Sequence, residues 1–233
     1  MNKNKTFLAI IPARGGSKRL PRKNVLDLCG KPLITYSIEA GLKSKYIDKV
    51  MVTSDDEDIL SISKKYGATI IKRPEELASD TATTFDAIKH TIDSLEKFDY
   101  IVLLQPTSPL RSEKHLDEAI ELLEQKNAEA IVSVCEMDHS PLWCNTLPED
   151  GSMKSFLKEE VLNKRSQDLD KYFRLNGAIY ICKTDKLLEN KGFFLKENIY
   201  AYKMGKKNSI DIDDEFDFKL AHLCLQHKEN NGI

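Results

Sequence analysis

Residues 10–24, IIPARGGSKRLPRKN, join a short apolar run to a glycine-rich loop that carries five cationic side chains. The adjacent Gly15 and Gly16 let the backbone turn with its N–H groups facing a ligand, and the cations neutralise negative charge. These cations are Arg14, Lys18, Arg19, Arg22 and Lys23. Residues 7–11 read as a buried strand, and ligands of open α/β sheets bind beyond the carboxyl ends of strands. The segment therefore predicts a triphosphate site.

The spacing of the glycines matches neither of the two best-known phosphate motifs. A P-loop needs G-x-x-x-x-G-K-[ST] and a dinucleotide fold needs G-x-G-x-x-G, whereas these two glycines are adjacent and no third follows at the required spacing. Composition alone is equally compatible with a solvated basic turn. The position directly after the first strand favours ligand binding.

A second candidate site lies near the other end of the chain, in the segment IDIDD at residues 210–214. Alternation along an extended segment places Asp211 and Asp213 on one side. Paired carboxylates suit Mg²⁺, which binds one or two protein carboxylates together with waters and substrate phosphates. Asp213 and Asp214 also fit the start of the following helix as a cap and a first-turn acid, and Asp213 can serve in both roles.

Two polar segments are predicted to follow strands and so to approach the first loop. Arg73 and residues 78–84, ASDTATT, offer groups for a ribose and a base edge, although helix capping alone explains Thr83. Residues 104–111, LQPTSPLR, pass through two prolines that stiffen the chain and present Gln105 and Arg111 in fixed places. The alternative for this second segment is a rigid turn.

Two arginines further along, Arg165 and Arg174, are candidates for a carboxylate clamp because the guanidinium group binds carboxylates in a bidentate manner. The alternative is that both are surface residues of a charged segment.

The elements that must position these residues indicate an α/β fold with a mostly parallel sheet, because short apolar runs alternate with helical periodicities. The predicted strands are 8–11, 49–53, 69–71, 100–104, 130–134, 177–182 and 199–203, and helices are predicted around 185–189 and over 213–226. Capping boxes are predicted from the spacing of Ser54 with Glu57 and of Thr83 with Asp86.

Residues 138–174 interrupt this alternation with prolines, a glycine and crowded charges. Unstructured segments beyond about 15 residues in a compact domain are usually functional or form interfaces, so we expect a dimerisation arm rather than a plain surface loop. The predicted organisation is a nucleotide-binding core over 1–137, the arm over 138–174, and a return to the core over 175–233.

Composition narrows the class of protein. The 233 residues include 35 Lys and Arg against 37 Asp and Glu, and a net charge of -2 gives no global attraction to nucleic acid or anionic lipid. The five cysteines form no C-x-x-C pair, and no two histidines are four residues apart. The apolar run before Pro12 is too short for a signal peptide, and no stretch approaches membrane-spanning length. We expect a cytoplasmic protein.

Five motifs in order, IPARGGSKRLPRKN, RPEELASDTATT, LLQPTSPLR, FRLNGAIY and SIDIDDEFDF, resemble the CMP-sialic acid synthetase family, the acylneuraminate cytidylyltransferases and their relatives that act on other nonulosonic acids. The resemblance spans nearly the whole chain. It implies a Rossmann-like nucleotidyltransferase fold, a homodimer whose arm completes the partner's sugar site, and Mg²⁺-dependent transfer of CMP from CTP to the anomeric hydroxyl of a nine-carbon 2-keto sugar acid.

The resemblance also implies residue roles. The expected triphosphate and cytidine ligands are Arg14, Ser17, Lys23, Asn24, Arg73, Ala82 and Thr84. The expected sugar-pocket residues are Gln105, Tyr180, Phe193 and Phe194, with Arg165 and Arg174 reaching the sugar carboxylate from the other subunit. Asp211 and Asp213 would bind Mg²⁺. Arg14 and Lys23 would stabilise phosphate charge during the reaction, and because no histidine lies in these motifs, Asp211 is one candidate for the general base.

Some positions depart from the family pattern and leave the sugar open. Arg19 and Arg22 stand where many sialic acid enzymes have a small residue, and Ser166 and Asp170 interrupt the usual basic and proline positions of the arm. The loop with both arginines also resembles enzymes for pseudaminic or legionaminic acid. The alternatives are a CMP-Kdo synthetase and a non-catalytic nucleotide-binding protein on the same fold.

Overall fold

The computed structural model describes residues 5–79 and 81–230. Asp80, which the sequence places in the polar loop, lies outside the described residues. The strands are β1 (Phe7–Pro12), β2 (Asp27–Leu28), β3 (Lys31–Pro32), β4 (Lys49–Ser54), β5 (Thr69–Lys72), β6 (Tyr100–Leu103), β7 (Ala130–Glu136), β8 (Phe173–Lys183) and β9 (Ile199–Met204). The helices are α1 (Leu33–Lys43), α2 (Glu57–Lys65), α3 (Thr84–Asp93), α4 (Glu113–Lys126), α5 (Thr184–Asn190) and α6 (Glu215–Asn230).

Seven strands form one sheet in the order β5-β4-β1-β6-β8-β7-β9, and β2 pairs with β3 in a separate hairpin. Strands β5, β4, β1 and β6 are parallel to one another, and β9 is parallel to β7. Only β8 runs antiparallel to its neighbours in this sheet of the described chain. The predicted α/β class with a mostly parallel sheet is confirmed.

The sheet is covered on both faces because alternate residues of its buried strands point to opposite sides. Ile11 of β1 belongs to a cluster that contains Ile38 of α1 and Ile120 of α4. Ile10 belongs to the opposite cluster with Ile88 of α3. Helix α6 packs instead against the β2–β3 hairpin. Three-layer packing leaves the carboxyl ends of the parallel strands at one open edge.

A bulge in β8 shapes that edge. Val132 of β7 pairs with Tyr180 of β8, but Val134 pairs with Leu175, so β8 carries extra residues between the two pairs. Asn176 fixes the bulge, because its Oδ1 accepts a hydrogen bond of 2.6 Å from the Ser133 hydroxyl and its Nδ2 donates to Ser209 Oγ at 2.9 Å. β8 therefore begins four residues before the predicted start and continues through the distortion.

The segment between β7 and β8 holds three short 3₁₀ turns, at Pro141–Trp143, Glu159–Val161 and Ser166–Asp168, and neither α-helix nor strand. It exposes Leu147, Met153 and Leu162, each by more than half of its surface. This segment corresponds to the predicted arm, whose role in dimerisation stays a prediction.

One of the two predicted capping boxes is wrong. Ser54 is the last residue of β4, and Asp56 caps α2 by accepting hydrogen bonds from the N–H groups of Asp58 and Ile59. The capping box of Thr83 and Asp86 on α3 is confirmed. Helix α6 starts at Glu215 rather than Asp213. In the described part of the chain, no helix combines the length and apolar character needed to span a membrane.

Candidate functional site

A cleft of about 580 Å³ opens where β1, β5 and β6 end. Because these strands are parallel, the loops that follow them meet at one edge of the sheet. The residues that line the cleft include all seven predicted nucleotide ligands together with Gln105 and Asp213: Arg14, Ser17, Lys23, Asn24, Arg73, Ala82, Thr84, Gln105 and Asp213. The structure thus brings the glycine-rich loop, the 73–84 loop and the acidic segment together.

The glycine-rich loop is held by carboxylates from the loop between β4 and α2. The Gly15 N–H donates to Asp55 Oδ1 at 3.2 Å. A Cβ atom at Gly15 would lie 2.7 Å from Asp56 Oδ2, so only glycine permits this approach. Arg22, in the left-handed backbone region at φ 55°, donates to Asp56 at 3.0 Å and to Asp58 at 2.6 Å. The curvature of the loop therefore depends on an acidic neighbour.

The cationic loop and the acidic segment are in direct contact. Lys23 Nζ donates to the backbone carbonyl of Ile212, between the two predicted metal ligands. Arg19 Nη1 lies 2.9 Å from Asp213 Oδ2. Burial lowers the pKa of Lys23, while Asp213 and Asp211 oppose this shift. The lysine ammonium is thus partly desolvated at the wall of the cleft.

Asp211 is half-buried and incompletely satisfied. Its carboxylate accepts a hydrogen bond from Thr107, but Oδ1 has no hydrogen-bond partner. Burial raises the pKa of Asp211, and the nearby Asp213 carboxylate raises it further. Unlike Asp211, Asp213 is mostly exposed and pairs with Arg19. The capping role belongs to Asp214, whose Oδ1 accepts from the N–H groups of Phe216 and Asp217, so Asp213 is not shared as predicted.

The two carboxylates fit the requirements of Mg²⁺. Within residues 5–79 and 81–230, no group of three or more His, Cys, Asp or Glu side chains is placed to hold a metal. A buried, unpartnered carboxylate oxygen on Asp211 beside a second carboxylate instead matches an ion that takes one or two protein ligands and completes its shell with water and phosphate.

Arg73 lies at the inner wall of the cleft with only 6% of its surface exposed. Its Nη2 is 3.6 Å from Asp55 Oδ1, and its Nε and Nη2 atoms have no hydrogen-bond partner. Burial lowers the pKa of Arg73, and the Asp55 carboxylate counteracts the shift. Because buried polar groups are normally paired, these donors are available to a ligand.

A second cavity of about 300 Å³ adjoins the cleft. The two share Thr83, Thr84 and Gln105. Its other wall is aromatic: the Tyr180 ring lies 5.6 Å from the Phe193 ring and 6.3 Å from the Phe194 ring, measured between centroids. All four predicted sugar-pocket residues line this cavity, namely Gln105, Tyr180, Phe193 and Phe194.

The two clamp arginines lie in different surroundings. Arg174, on β8, donates to the Ser209 carbonyl at 3.3 Å. It is also near enough to Asp211 of its own chain to oppose the rise in the pKa of that carboxyl. Arg165 is exposed on the segment between β7 and β8, where it pairs with Asp168 at 2.9 Å. Only Arg174 is close to the acidic segment within one chain.

Sequence reasoning missed several residues of the site. Thr107 contacts Asp211, and Asp55 and Asp56 support the glycine-rich loop. Asp55 and Asp56 could have been found, because both directly follow a parallel strand at the edge where ligands bind. Arg111 was expected beside Gln105 on a stiff loop, but its side chain points inward and is 2% exposed. Burial lowers the pKa of Arg111 to about 9.

Comparisons with known proteins agree with this geometry. Residues 8–226 match the family described as "Cytidylyltransferase".

This chain belongs to the cytidylyltransferase family.

Among individual relatives, this chain is 41% identical over 96% of its length to N-acylneuraminate cytidylyltransferase of Escherichia coli O18:K1:H7, of which it covers 53%. It is 36% identical to CMP-N,N'-diacetyllegionaminic acid synthase of Legionella pneumophila and 34% identical to pseudaminic acid cytidylyltransferase of Campylobacter jejuni, with 94% of this chain and 96% of each relative covered. The chain thus spans about half the length of the N-acylneuraminate cytidylyltransferases that it matches, and nearly all of the other two.

Among solved structures, this chain is similar to CMP:2-keto-3-deoxy-manno-octonic acid synthetase complexed with CTP, with a TM-score of 0.74 and 17% sequence identity. The match covers 96% of this chain and 100% of that one. This chain is also similar to 4-diphosphocytidyl-2C-methyl-D-erythritol synthase from Anaerococcus prevotii, with a TM-score of 0.65, 16% identity and coverage of 95% and 96%. These likenesses confirm the nucleotidyltransferase fold.

The contact of Gly15 with Asp56 predicts different outcomes for the two adjacent glycines. Gly15→Ala should lower the free energy of unfolding by about 1–3 kcal/mol. The new methyl group must displace the Asp56 carboxylate, which caps α2 and pairs with Arg22. Gly16→Ala is the matched control, since nothing lies within 4 Å of its Cβ position. Urea unfolding measures both, and equal losses would contradict this account of the loop.

The raised pKa of Asp211 predicts that its ionised carboxylate lowers the stability of the folded chain. A carboxyl whose pKa is higher in the folded than in the unfolded state stabilises at low pH, and this contribution is lost as pH rises through the folded value. Asp211→Asn should therefore raise the Tm at pH 7.5 without metal by about 2–4 °C, the shift that ~1 kcal/mol produces in a domain of this size. The difference should shrink as pH falls toward 4. Thermal unfolding across this range would refute the prediction if the gain grew in acid.

Proposed function

We propose that this chain transfers CMP from CTP to the anomeric hydroxyl of a nonulosonic acid, a nine-carbon 2-keto sugar acid, and releases pyrophosphate. The observation that carries the proposal is the contact of the cationic loop with the acidic segment beside an aromatic cavity. A cleft of this kind accommodates a nucleoside triphosphate next to a sugar. The names of the relatives at 34–41% identity support the same reaction.

The triphosphate would lie along the glycine-rich loop. Arg14, Ser17, Lys23 and Asn24 line the cleft there, and Asn24 fixes the loop by donating to the Arg14 carbonyl at 3.1 Å. In the reaction, the anomeric oxygen forms a bond to the α-phosphorus while the bond to pyrophosphate breaks. Arg14 and Lys23 stabilise the charge that moves to the departing pyrophosphate, and the fixed loop aligns the reacting atoms.

The cytidine would lie on the opposite side of the cleft, against Arg73, Ala82 and Thr84. The Nε donor of Arg73, which has no hydrogen-bond partner, would donate to an acceptor oxygen of the base or ribose, while Nη2 stays paired with Asp55. The backbone around Ala82 is anchored by its own hydrogen bond to the Ser79 carbonyl.

Asp211 and Asp213 would hold Mg²⁺, which when bound neutralises phosphate charge and favours ionisation of the sugar hydroxyl. The unpartnered Oδ1 of Asp211 supports this assignment. Arg19 forms an ion pair with Asp213 in which both side chains are mostly exposed. Exposed ion pairs of this kind are weak in water. Asp213 can therefore exchange this partner when a metal-bound nucleotide arrives.

The sugar acid would occupy the aromatic cavity, with Gln105 at the boundary of the two sites. Tyr180, Phe193 and Phe194 provide apolar surface against the ring and its substituents. Arg174, on β8 and near Asp211, would bind the sugar carboxylate from within the same chain, whereas the family resemblance implied contact from the other subunit. Binding of the nine-carbon acids is favoured over Kdo by the names of the relatives, since the likeness to the octonic acid enzyme is one of fold.

We further propose a homodimer in which the part of the predicted arm that precedes β8, residues 138–172, crosses to the second subunit. The exposed apolar residues Leu147, Met153 and Leu162 support an interface there, because they lie on one segment that has no helix or strand of its own. Among the described residues, Arg165 is not one of those that line the cleft or the aromatic cavity of its own chain, and its guanidinium group pairs with Asp168 at 2.9 Å. In a two-fold dimer, the partner's arm would bring Arg165 to the sugar acid.

A charge-removing substitution tests the nucleotide assignment. Lys23→Met should lower kcat at least ~100-fold, because the lost ammonium acts on phosphate charge in the transition state, whereas Lys65→Met on the exposed face of α2 should leave it unchanged. The assay supplies CTP and Mg²⁺ with N-acetylneuraminic, legionaminic, pseudaminic or Kdo acid and detects each CMP-sugar and pyrophosphate. Near-normal pyrophosphate release by the Lys23 variant would remove the loop from the mechanism. Failure of the unmodified chain with every acid would favour a non-catalytic nucleotide-binding protein.

Subunit complementation tests the arm. Lys23→Met and Arg165→Ala variants, each of low activity, should regain activity when co-expressed, to about a quarter of the wild-type level, because half of the random dimers contain one site free of both changes. Light scattering establishes the mass of each species. If Arg165 acts within its own chain, co-expression restores nothing.

A further inference from the structure

Arg111 is a buried cation that the proposed reaction does not use. It ends the loop that follows β6 and lies directly before helix α4, with 2% of its surface exposed. Among the described residues, no carboxylate contributes to the pKa shift of its guanidinium group, and its Nη1 atom has no hydrogen-bond partner. An unpaired buried charge is costly, so its presence requires a structural or functional reason.

The guanidinium group instead binds the backbone of two separate elements. Its Nε donates to the carbonyl of Ala178 on β8 at 3.0 Å. Its Nη2 donates to the carbonyl of Gln105 at 3.2 Å and to Ser37 Oγ at 2.6 Å. Ser37, on α1, donates in turn to the same Gln105 carbonyl at 3.2 Å. One side chain therefore ties the loop after β6 to the bulged strand.

These two carbonyls flank a close contact in the candidate site. Gly177, next to Ala178, has a backbone φ of 72°, and a Cβ atom there would lie 2.7 Å from Gln105 Oε1 and 3.2 Å from Asp211 Oδ2. The side chains of Gln105 and Asp211 thus pack against one glycine. A shift of the loop relative to β8 would separate Gln105 from this contact and change the boundary between the cleft and the aromatic cavity.

We propose that Arg111 is a positioning residue for the sugar-acid half of the site: from beneath the surface it fixes Gln105 against Gly177 and so sets the shape of the cavity that receives the acid. This inference rests on the proposed function for the identity of the ligand. The nucleotide half of the cleft depends on the loops after β1 and β5, which Arg111 does not touch. Its loss should therefore affect the two substrates unequally.

Steady-state kinetics of Arg111→Met test whether the loss of Arg111 affects binding of the sugar acid more than binding of CTP. The KM for the sugar acid should rise about tenfold, equivalent to ~1.4 kcal/mol, while the KM for CTP changes less than about twofold. Arg111→Lys should recover only part of the loss, because an ammonium group cannot reach both carbonyls with the planar fork of arginine. Arg111→Ala should regain affinity for the acid when free guanidinium is added at concentrations below those that unfold it.

Two further measurements separate positioning from general loss of stability. Ile120→Ala, in the core on helix α4, which follows the Arg111 loop, is the matched control: it should lower stability comparably without changing the KM for the acid. Hydrogen exchange in Arg111→Met should be at least about tenfold faster at the Ser108 amide, which donates to the Gln105 carbonyl, and unchanged along β1. Equal changes in both KM values, or the same KM change in Ile120→Ala, would overturn the proposal. If the unmodified chain formed no product, the proposed function would fail, and unaltered exchange at Ser108 would still exclude the role of Arg111.

Discussion

The site depends on opposite charges held together where water is partly excluded. Lys23 contacts the backbone between Asp211 and Asp213, and burial shifts the pKa of Lys23 down and that of Asp211 up. Each group is therefore in an environment that disfavours its charged form. In the proposed function, a triphosphate with its metal would bring an anion to the lysine and a cation to the carboxylates, so that one ligand would stabilise the charged forms of both groups.

The second constraint is the close approach of side chains to the backbone, which explains why glycine is needed at positions 15 and 177. Asp56 reaches the loop after β1 only because Gly15 has no Cβ, and Gln105 and Asp211 share the space beside Gly177 for the same reason. The bulge that carries Gly177 is itself maintained by the Ser133 and Asn176 hydrogen bonds. Positions of functional atoms are thus set by buried polar contacts one layer behind the cleft.

Sequence patterns predicted the residues that line the cleft better than the residues that hold them in place. Arg14, Arg73 and Gln105 each follow a parallel strand, and topology alone then places them at one edge. The prediction for the cap of α2 is wrong because Ser54 and Asp56 both suit the local pattern, and pairing of Ser54 with Lys72 keeps the serine in β4. The inward direction of Arg111 depends on carbonyls of Gln105 and Ala178, which are distant in sequence, so no local rule could indicate it.

The two loop arginines at which the sequence departs from the family pattern lie with the glycine-rich loop, which we propose binds the nucleotide, and not at the proposed sugar cavity. Arg22 pairs with Asp56 and Asp58 behind the loop, and Arg19 pairs with Asp213. Neither lines the aromatic cavity. Under the proposed function, discrimination among nonulosonic acids would arise from the aromatic wall, from the Gln105 boundary that we propose Arg111 fixes, and from the arm, because these are the surfaces that the sugar substituents would meet.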